Sequence, residues 1–180
     1  MTVRQCLGRV VWVVIAGAGM AVAAPAATLD DRAVLAVYDQ VNGFDVETAS
    51  LGAVQGHDPA VRELAVMVLR DHSAVRQMSR DLAGRLGIAY TVPERDEASR
   101  GHAQALARLR GKRGAAFDRA YLAHEVEFHR AAIKAVRETL VPGVTSPELK
   151  KLLLDVLPGF EQHLSHTVEL SRRLGVKLKE

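Results

Sequence analysis

The sequence predicts an all-α domain built as a four-helix bundle, and three observations predict it. Four stretches of about 25 residues carry apolar side chains at the three-and-four spacing of a helix face. Proline, glycine and capping residues separate those stretches sharply. Nowhere does a run of alternating β-branched residues bounded by turns suggest a strand.

The first 26 residues stand apart from the rest. Arg4 and Arg9 precede an apolar run from Val10 to Ala23, and Ala24-Pro25-Ala26 supplies small residues after it. The run is too short to span a bilayer comfortably, so the segment reads as a cleaved secretory signal, the alternative being an uncleaved N-terminal anchor. Cys6 precedes the run and is out of place for lipidation. The expectation is a periplasmic protein, exported across the inner membrane, with residues 1–26 as signal peptide and 27–180 as one domain, and with no membrane span after cleavage. Cleavage removes the single Cys and the single Trp, so no disulfide and no thiolate ligand remains. It also lowers the net charge from +3 to +1, because the segment carries Arg4 and Arg9 and no acid. That balance argues against a nucleic-acid partner. The densest basic run, Arg108 to Arg113, reads as a solvated helix end.

The first helix is expected over Asp31–Gln55, with Asp30 and Asp31 at its N-terminus and a stripe of Val34, Val37, Val41, Phe44, Thr48 and Leu51. Gly43 is a weak point within it. The second begins at Asp58-Pro59, an N-cap acid followed by proline at the first helical position. Its stripe is Val61, Leu64, Val68, His72, Val75 and Leu82, and Gly87 closes it. Residues 88–113 form a long connection, broken at Pro93, with a short polar helix over Asp96–Leu109. The third long helix runs over Ala115–Leu140 with Leu122, Val126, His129, Ile133, Val136 and Leu140 on its stripe, and Pro142-Gly143 stops it. The fourth starts at Ser146-Pro147, carries Leu149, Leu153, Val156, Phe160, His163, Thr167, Leu170 and Leu174, and ends at Gly175. Pro158 inside it predicts a kink or break near residues 157–159, because an interior proline costs roughly 3 kcal/mol.

Each long helix should be roughly 37 Å in length at 1.5 Å per residue. The first and last connections are short, which makes those helix pairs antiparallel hairpins. The central connection is long enough to travel the length of the bundle. Such a crossover is the ferritin-like arrangement, as opposed to a simple up-down-up-down bundle.

The chemistry-bearing residues are the three histidines near the midpoints of the last three long helices. Helices packed side by side keep their midpoints level, so His72, His129 and His163 should share one buried layer. Glu47 is the carboxylate the first helix offers there. Glu125, four residues before His129, projects from nearly the same face. Asp71 is placed to orient an imidazole from outside the ligand set, and His166 belongs at the rim. Three neutral imidazoles with one or two carboxylates suit a divalent transition metal, Zn, Cu or Fe, by ligand type. Ligation requires ring nitrogens within about 3 to 4 Å of one another. The competing reading is a structural or interaction module whose histidines close a buried hydrogen-bond network with carbonyls and carboxylates. An enzyme with an atypical mononuclear centre is a third. The di-iron signature Glu-x-x-His is absent: Leu69, Val126 and Phe160 precede the three histidines by three residues. His57 and His102 read as solvated, and Tyr38 and Tyr121 as core residues with satisfied hydroxyls.

Asp58-Pro59-Ala60-Val61 through Asp71-His72, then Phe117-Asp118-x-x-Tyr121-Leu122 through His129, then Leu157-Pro158 through His163-Leu164 resemble the DUF4142 family over nearly the whole of residues 29–175. The resemblance implies an exported bacterial protein of the ferritin-like bundle class and supplies a fold rather than a reaction. Family members usually place an acid before the histidine in both central helices. Here the second helix has Asp71, but the third has Phe128. On these grounds the expectation is an envelope protein whose bundle interior binds a metal ion in buffering, delivery or stress tolerance.

Overall fold

A computed structural model describes residues 29–178, which are helical without a strand among them. The signal peptide expected over residues 1–26 lies outside the described residues. Five helices follow in order: α1 (Asp31–Gln55), α2 (Pro59–Leu86), α3 (Glu97–Arg110), α4 (Gly114–Ala135) and α5 (Pro147–Arg173). Their starts follow from local chemistry. The side chains of Asp30, Asp58, Asp96 and Ser146 accept from backbone N–H groups of the first turns of α1, α2, α3 and α5, and Pro59 and Pro147 occupy positions where no helical N–H is needed. Gly87 ends α2 at φ 65°, a left-handed conformation that a Cβ would strain.

α1 and α2 form one hairpin and α4 and α5 another. α2 lies against α5 and α1 against α4. The end of α2 (Leu82, Arg85) meets the start of α5 (Glu148, Lys151), while the start of α2 (Ala60, Glu63) meets the end of α5 (Glu169, Arg173). α2 and α4 therefore run in the same direction, and the chain must return the length of the bundle between them. It does so through residues 87–113. Gln40 donates to the Pro93 carbonyl, at 2.8 Å, and Gln55 to that of Lys112, at 2.6 Å, so the connection with α3 runs along α1 from Gln40 to its C-terminal end.

Carboxylates clamp the two ends. Asp118 of α4 accepts from the backbone N–H groups of His57 and Asp58 at 2.8 and 2.9 Å. Asp31 of α1 accepts from those of Thr145 and Ser146 at 2.7 and 3.0 Å. The apolar core is in two parts. One gathers Val34, Leu35, Tyr38, Ile133, Leu149, Leu153 and Phe160; the other gathers Val61, Ala65, Val68, Phe117, Tyr121 and Leu122. The histidine layer falls between them.

Three expectations change. α5 is continuous through Pro158, because both Pro158 and Leu154, whose carbonyl the ring deprives of a partner, are exposed where water can serve. The irregularity is instead in α4, which widens to a π turn over Val136–Leu140 and then adds a last turn, Val141–Gly143. The Val141 N–H reaches back five residues to Val136. This wider turn precedes Pro142, whose ring would collide with the Glu138 carbonyl in a regular helix. On α1 the inward stripe is Val34, Leu35, Tyr38, Asn42, Asp45, Ala49 and Gly52. Val37, Val41 and Phe44 turn sideways and, with Ala98, Gly101 and His102 of α3, line a groove between α1, α3 and α4.

Candidate metal centre

His72 of α2, His129 of α4 and His163 of α5 are all buried, with 1%, 0% and 3% of their surface exposed. Their ring centroids are 5.2–5.5 Å apart, and one ligand atom from each lies within 4.8 Å of the others. Asp45, projecting from α1, completes the layer. Its Oδ2 is 3.0 Å from His72 Nε2 and 3.5 Å from His129 Nε2. His163 Nδ1 is 3.3 Å from His72 Nε2. Atoms spaced at 3.0–3.5 Å are what ligands held about 2 Å from a shared ion require.

The outer hydrogen bonds decide which way each imidazole presents its lone pair. Asn42 Nδ2 donates to the Tyr38 carbonyl at 2.8 Å, which turns Asn42 Oδ1 toward His72 Nδ1, 2.9 Å away. An amide oxygen only accepts, so His72 Nδ1 carries the proton. His129 Nδ1 faces the Glu125 backbone carbonyl at 3.0 Å and is a donor for the same reason. His163 Nε2 donates to Asp71 Oδ2 at 3.0 Å. With all three rings neutral, the lone pairs of His72 Nε2, His129 Nε2 and His163 Nδ1 point into the layer, those of His72 and His129 toward the Asp45 carboxylate and that of His163 toward His72. Four acceptors then meet with a single acid proton beside them, that of Glu125 toward Asp45, and His129 Nε2 has no hydrogen-bond partner. Buried acceptors left in this state are costly, and a cation at their centre removes the conflict. The residues present fit a metal ion, with Asn42, the Glu125 carbonyl and Asp71 in the orienting positions that ligating histidines require.

The electrostatics agree. Burial depresses His129 from 6.5 to about 4 despite the Asp45 charge beside it. Burial also lowers His163, against the pull of Asp71. Both rings are neutral at pH 7. Burial pushes the Asp45 carboxyl upward, but positive charge on the His72 and His129 side, then hydrogen bonds from His72 and Glu125, outweigh it and hold the group below its ordinary value, so this anion calls for a proton on those rings or a cation in its place. Glu125 goes the other way. Burial, then the neighbouring Asp45 carboxylate, raise it well above the carboxylate range, so it holds a proton. Its oxygens have no fixed donor, and Oε2 stands 3.8 Å from His129 Nδ1. Asp45, Glu125 and His129 form a second group whose ligand atoms lie within 4.8 Å of one another.

Of the sequence candidates, the structure brings together His72, His129, His163 and Glu125, with Asp71 behind His163. Glu47 does not join them. It is exposed on the α3 side of α1 and pairs with His102 Nε2 at 3.0 Å. The two residue steps from Asp45 to Glu47 turn the helix by about 200°, which carries one carboxylate inward and the other out. His166 is exposed at the rim. His102 is not solvated: its side chain is 8% exposed and stacks on Phe44 at 4.3 Å. The Tyr38 and Tyr121 hydroxyls are buried without a partner rather than satisfied. Phe160 stacks on His72 with centroids 4.7 Å apart, and Phe128 packs edge-on to His129 at 6.0 Å.

Asp45 and Asn42 are the residues sequence reasoning missed. Their signal is the spacing Tyr38, Asn42, Asp45, Ala49, Gly52, a helical stripe of polar and small residues. The Val-rich stripe beside it draws the eye, because the crossover helix gives α1 a second apolar face.

No curated protein and no solved structure matches the chain. A family-wide sequence profile does, over residues 16–170, most of the chain and all three histidine helices. The chain belongs to that family, described as Domain of unknown function (DUF4142).

Proposed function

We propose that this is an exported envelope protein that binds one divalent transition-metal ion inside a ferritin-like bundle, for metal buffering, delivery or stress tolerance. His72, His129, His163 and Asp45 are the ligands, and Glu125 is a carboxyl in reserve beside them. The observation that carries this reading is the convergence of three imidazole lone pairs in one layer with a buried carboxylate, each ring locked by an oxygen acceptor on its far nitrogen. A nitrogen-rich set with one carboxylate suits Zn, Cu or Fe better than Mg or Ca. Phe160 and Phe128 cover the rings, which favours holding an ion over turning over a substrate. The course of the chain, with α2 and α4 running the same way and joined by the long crossover, supports the ferritin-like assignment. The basic, apolar, small-residue order of residues 1–26 supports export.

The competing reading is a proton in place of the metal, shared by His72 and Asp45 across their 3.0 Å contact. Elemental analysis of protein purified after expression of the full chain distinguishes the two. About one transition-metal ion per chain is expected, lost from His129→Ala and Asp45→Asn and kept by Glu47→Gln. Metal-free wild type under metal-replete growth, or content unchanged in His129→Ala, sinks the metal reading and leaves the protonated network.

A further inference from the structure

The metal layer leaves the charge distribution of the molecule unexplained. Where α3 ends, α4 begins and the chain emerges from α5, six cationic side chains crowd one end of the bundle: Arg108, Arg110, Lys112, Arg113, Arg119 and Lys177. All six residues are exposed, and among the described residues no ion pair joins any of them to a carboxylate. The Arg113 guanidinium bonds only to the carbonyls of Arg110 and Lys112, at 2.6 and 2.7 Å. Two adjoining grooves of about 250 and 540 Å³ run through the cluster, with Lys112 and Lys177 lining both. Glu127 lines the smaller one. Of the other acids of this end, Asp118 accepts from the α1–α2 loop and Asp58 caps α2, while Glu63 and Glu169 lie with Arg173 along the α2–α5 seam.

The opposite end is mixed: Asp30 and Asp31 open α1 and Glu148 opens α5, but Arg85 and Lys151 stand beside Glu148 and Asp155. The modest net charge of the chain therefore conceals a molecule with one basic pole. Leu29 packs against Gly143 at the mixed end.

We propose that the basic pole docks this protein on anionic phospholipid bilayers as a peripheral membrane protein. Three observations favour a lipid surface over a single free anion. The cations are spread around the whole end of the bundle instead of converging on one buried point. None is buried, as a site built for one phosphate would have it. Apolar residues are interleaved with them: Val54 at the end of α1 is 86% exposed, and Val176 and Leu178 of the tail are partly exposed. A basic, part-apolar surface gains from the potential of an anionic leaflet and from shallow burial in the headgroup layer. No helix among the described residues is long and apolar enough to cross a membrane, so the attachment is peripheral and reversible.

The test is sedimentation of the protein, purified after expression of the full chain, with vesicles of phosphatidylcholine alone or containing phosphatidylglycerol. At 50 mM salt the anionic vesicles should bind at least tenfold more protein than the neutral ones. At 500 mM salt the difference should collapse, because the Debye length shrinks from about 14 Å to about 4 Å. Lys112→Glu/Arg119→Glu should lower binding at least tenfold, whereas Lys150→Glu/Lys151→Glu, the same charge change at the other pole, should leave it within twofold. Thermal unfolding checks that both variants fold. Equal binding to both vesicle types, or equal loss in both variants, overturns the proposal. Tighter binding to a short DNA duplex than to the anionic vesicles does so too and assigns the pole to nucleic acid. Bound metal alters none of these outcomes, so the metal reading stands or falls separately.

Discussion

At the scale of single residues, the layer is held by groups whose ordinary ionisation has been reversed. His129 is neutral down to about pH 4, and Glu125 is protonated well above the usual carboxylate range. Their effects on stability have opposite signs. As pH falls through 6.5, the unfolded chain protonates His129 before the folded chain does, so folding is weakened, by up to about 3 kcal/mol by pH 4. As pH rises above 4.5, the unfolded chain ionises Glu125 while the folded chain does not, so folding is weakened in that direction. Between pH 4.5 and 6.5 the two slopes oppose each other. Glu125→Gln removes one of them. Metal-free Glu125→Gln protein should therefore gain stability more steeply than wild type across that window, by about 1.4 kcal/mol per pH unit. Urea unfolding at four pH values with chelator present measures this, and parallel curves would refute it. Gly52 is a second residue-scale constraint. A Cβ there would stand 2.6 Å from the Tyr121 ring and 2.9 Å from Ala65. Gly52→Ala should cost 1–3 kcal/mol or more by overpacking, against the modest gain that alanine normally brings to a helix. Gly43, which reads in sequence as a flaw in α1, is a notch that admits the Arg76 guanidinium, 3.2 Å from where a Cβ would be. That guanidinium and the one of Arg80 both bind Asp39, which is fully buried.

At the scale of elements, the four long helices are unequal to α3. α3 buries only Ala105, Leu106 and Leu109, against nine buried residues in α2, and otherwise touches the bundle through Gln40, the His102–Glu47 pair and Gln55, over a groove walled by alanines and glycine. Segments with few buried contacts open below the global unfolding energy. Hydrogen exchange should show α3 amides exchanging well ahead of the central turns of α2 and α5; equal protection would mean that α3 belongs to the cooperative core. The α1–α2 hairpin, by contrast, is pinned to α4 through one carboxylate. Asp118→Ala leaves two backbone N–H groups of the loop without their acceptor, so a loss of about 2–3 kcal/mol is expected in chemical denaturation. The boundaries of α1, α2 and α5 follow their caps and prolines to within two residues of the sequence expectation. The π turn of α4 does not announce itself, because a proline near a helix end reads as a stop, yet here the chain winds once more to bring Gly143 against Leu29.

At the scale of the whole molecule, a metal ion would tie α1, α2, α4 and α5 at mid-height, where the two halves of the apolar core meet. Binding to the folded state alone adds about 2.7 kcal/mol at a free metal concentration 100 times the dissociation constant. For a chain of this size that is a rise in Tm of roughly 5–10 °C, reversed by chelation and absent in His129→Ala. A Tm insensitive to every metal tested would argue that the layer is complete with a proton.

What the sequence determined alone is the set of helices and the level of the histidines. Both are local: caps and prolines set the ends, and the rise of 1.5 Å per residue sets where a midpoint falls. It also placed Glu125 over Glu127, since only one of two carboxylates flanking Val126 can share the inward face with His129. The tertiary structure decided that Asp45 joins the histidine layer, and it decided the tautomers. Which face of α1 is inward depends on how the crossover covers its other side, and no periodicity within α1 distinguishes two competing stripes. Lone-pair direction depends on Asn42, Asp71 and a backbone carbonyl, partners that only the packed bundle brings within 3.0 Å of the rings.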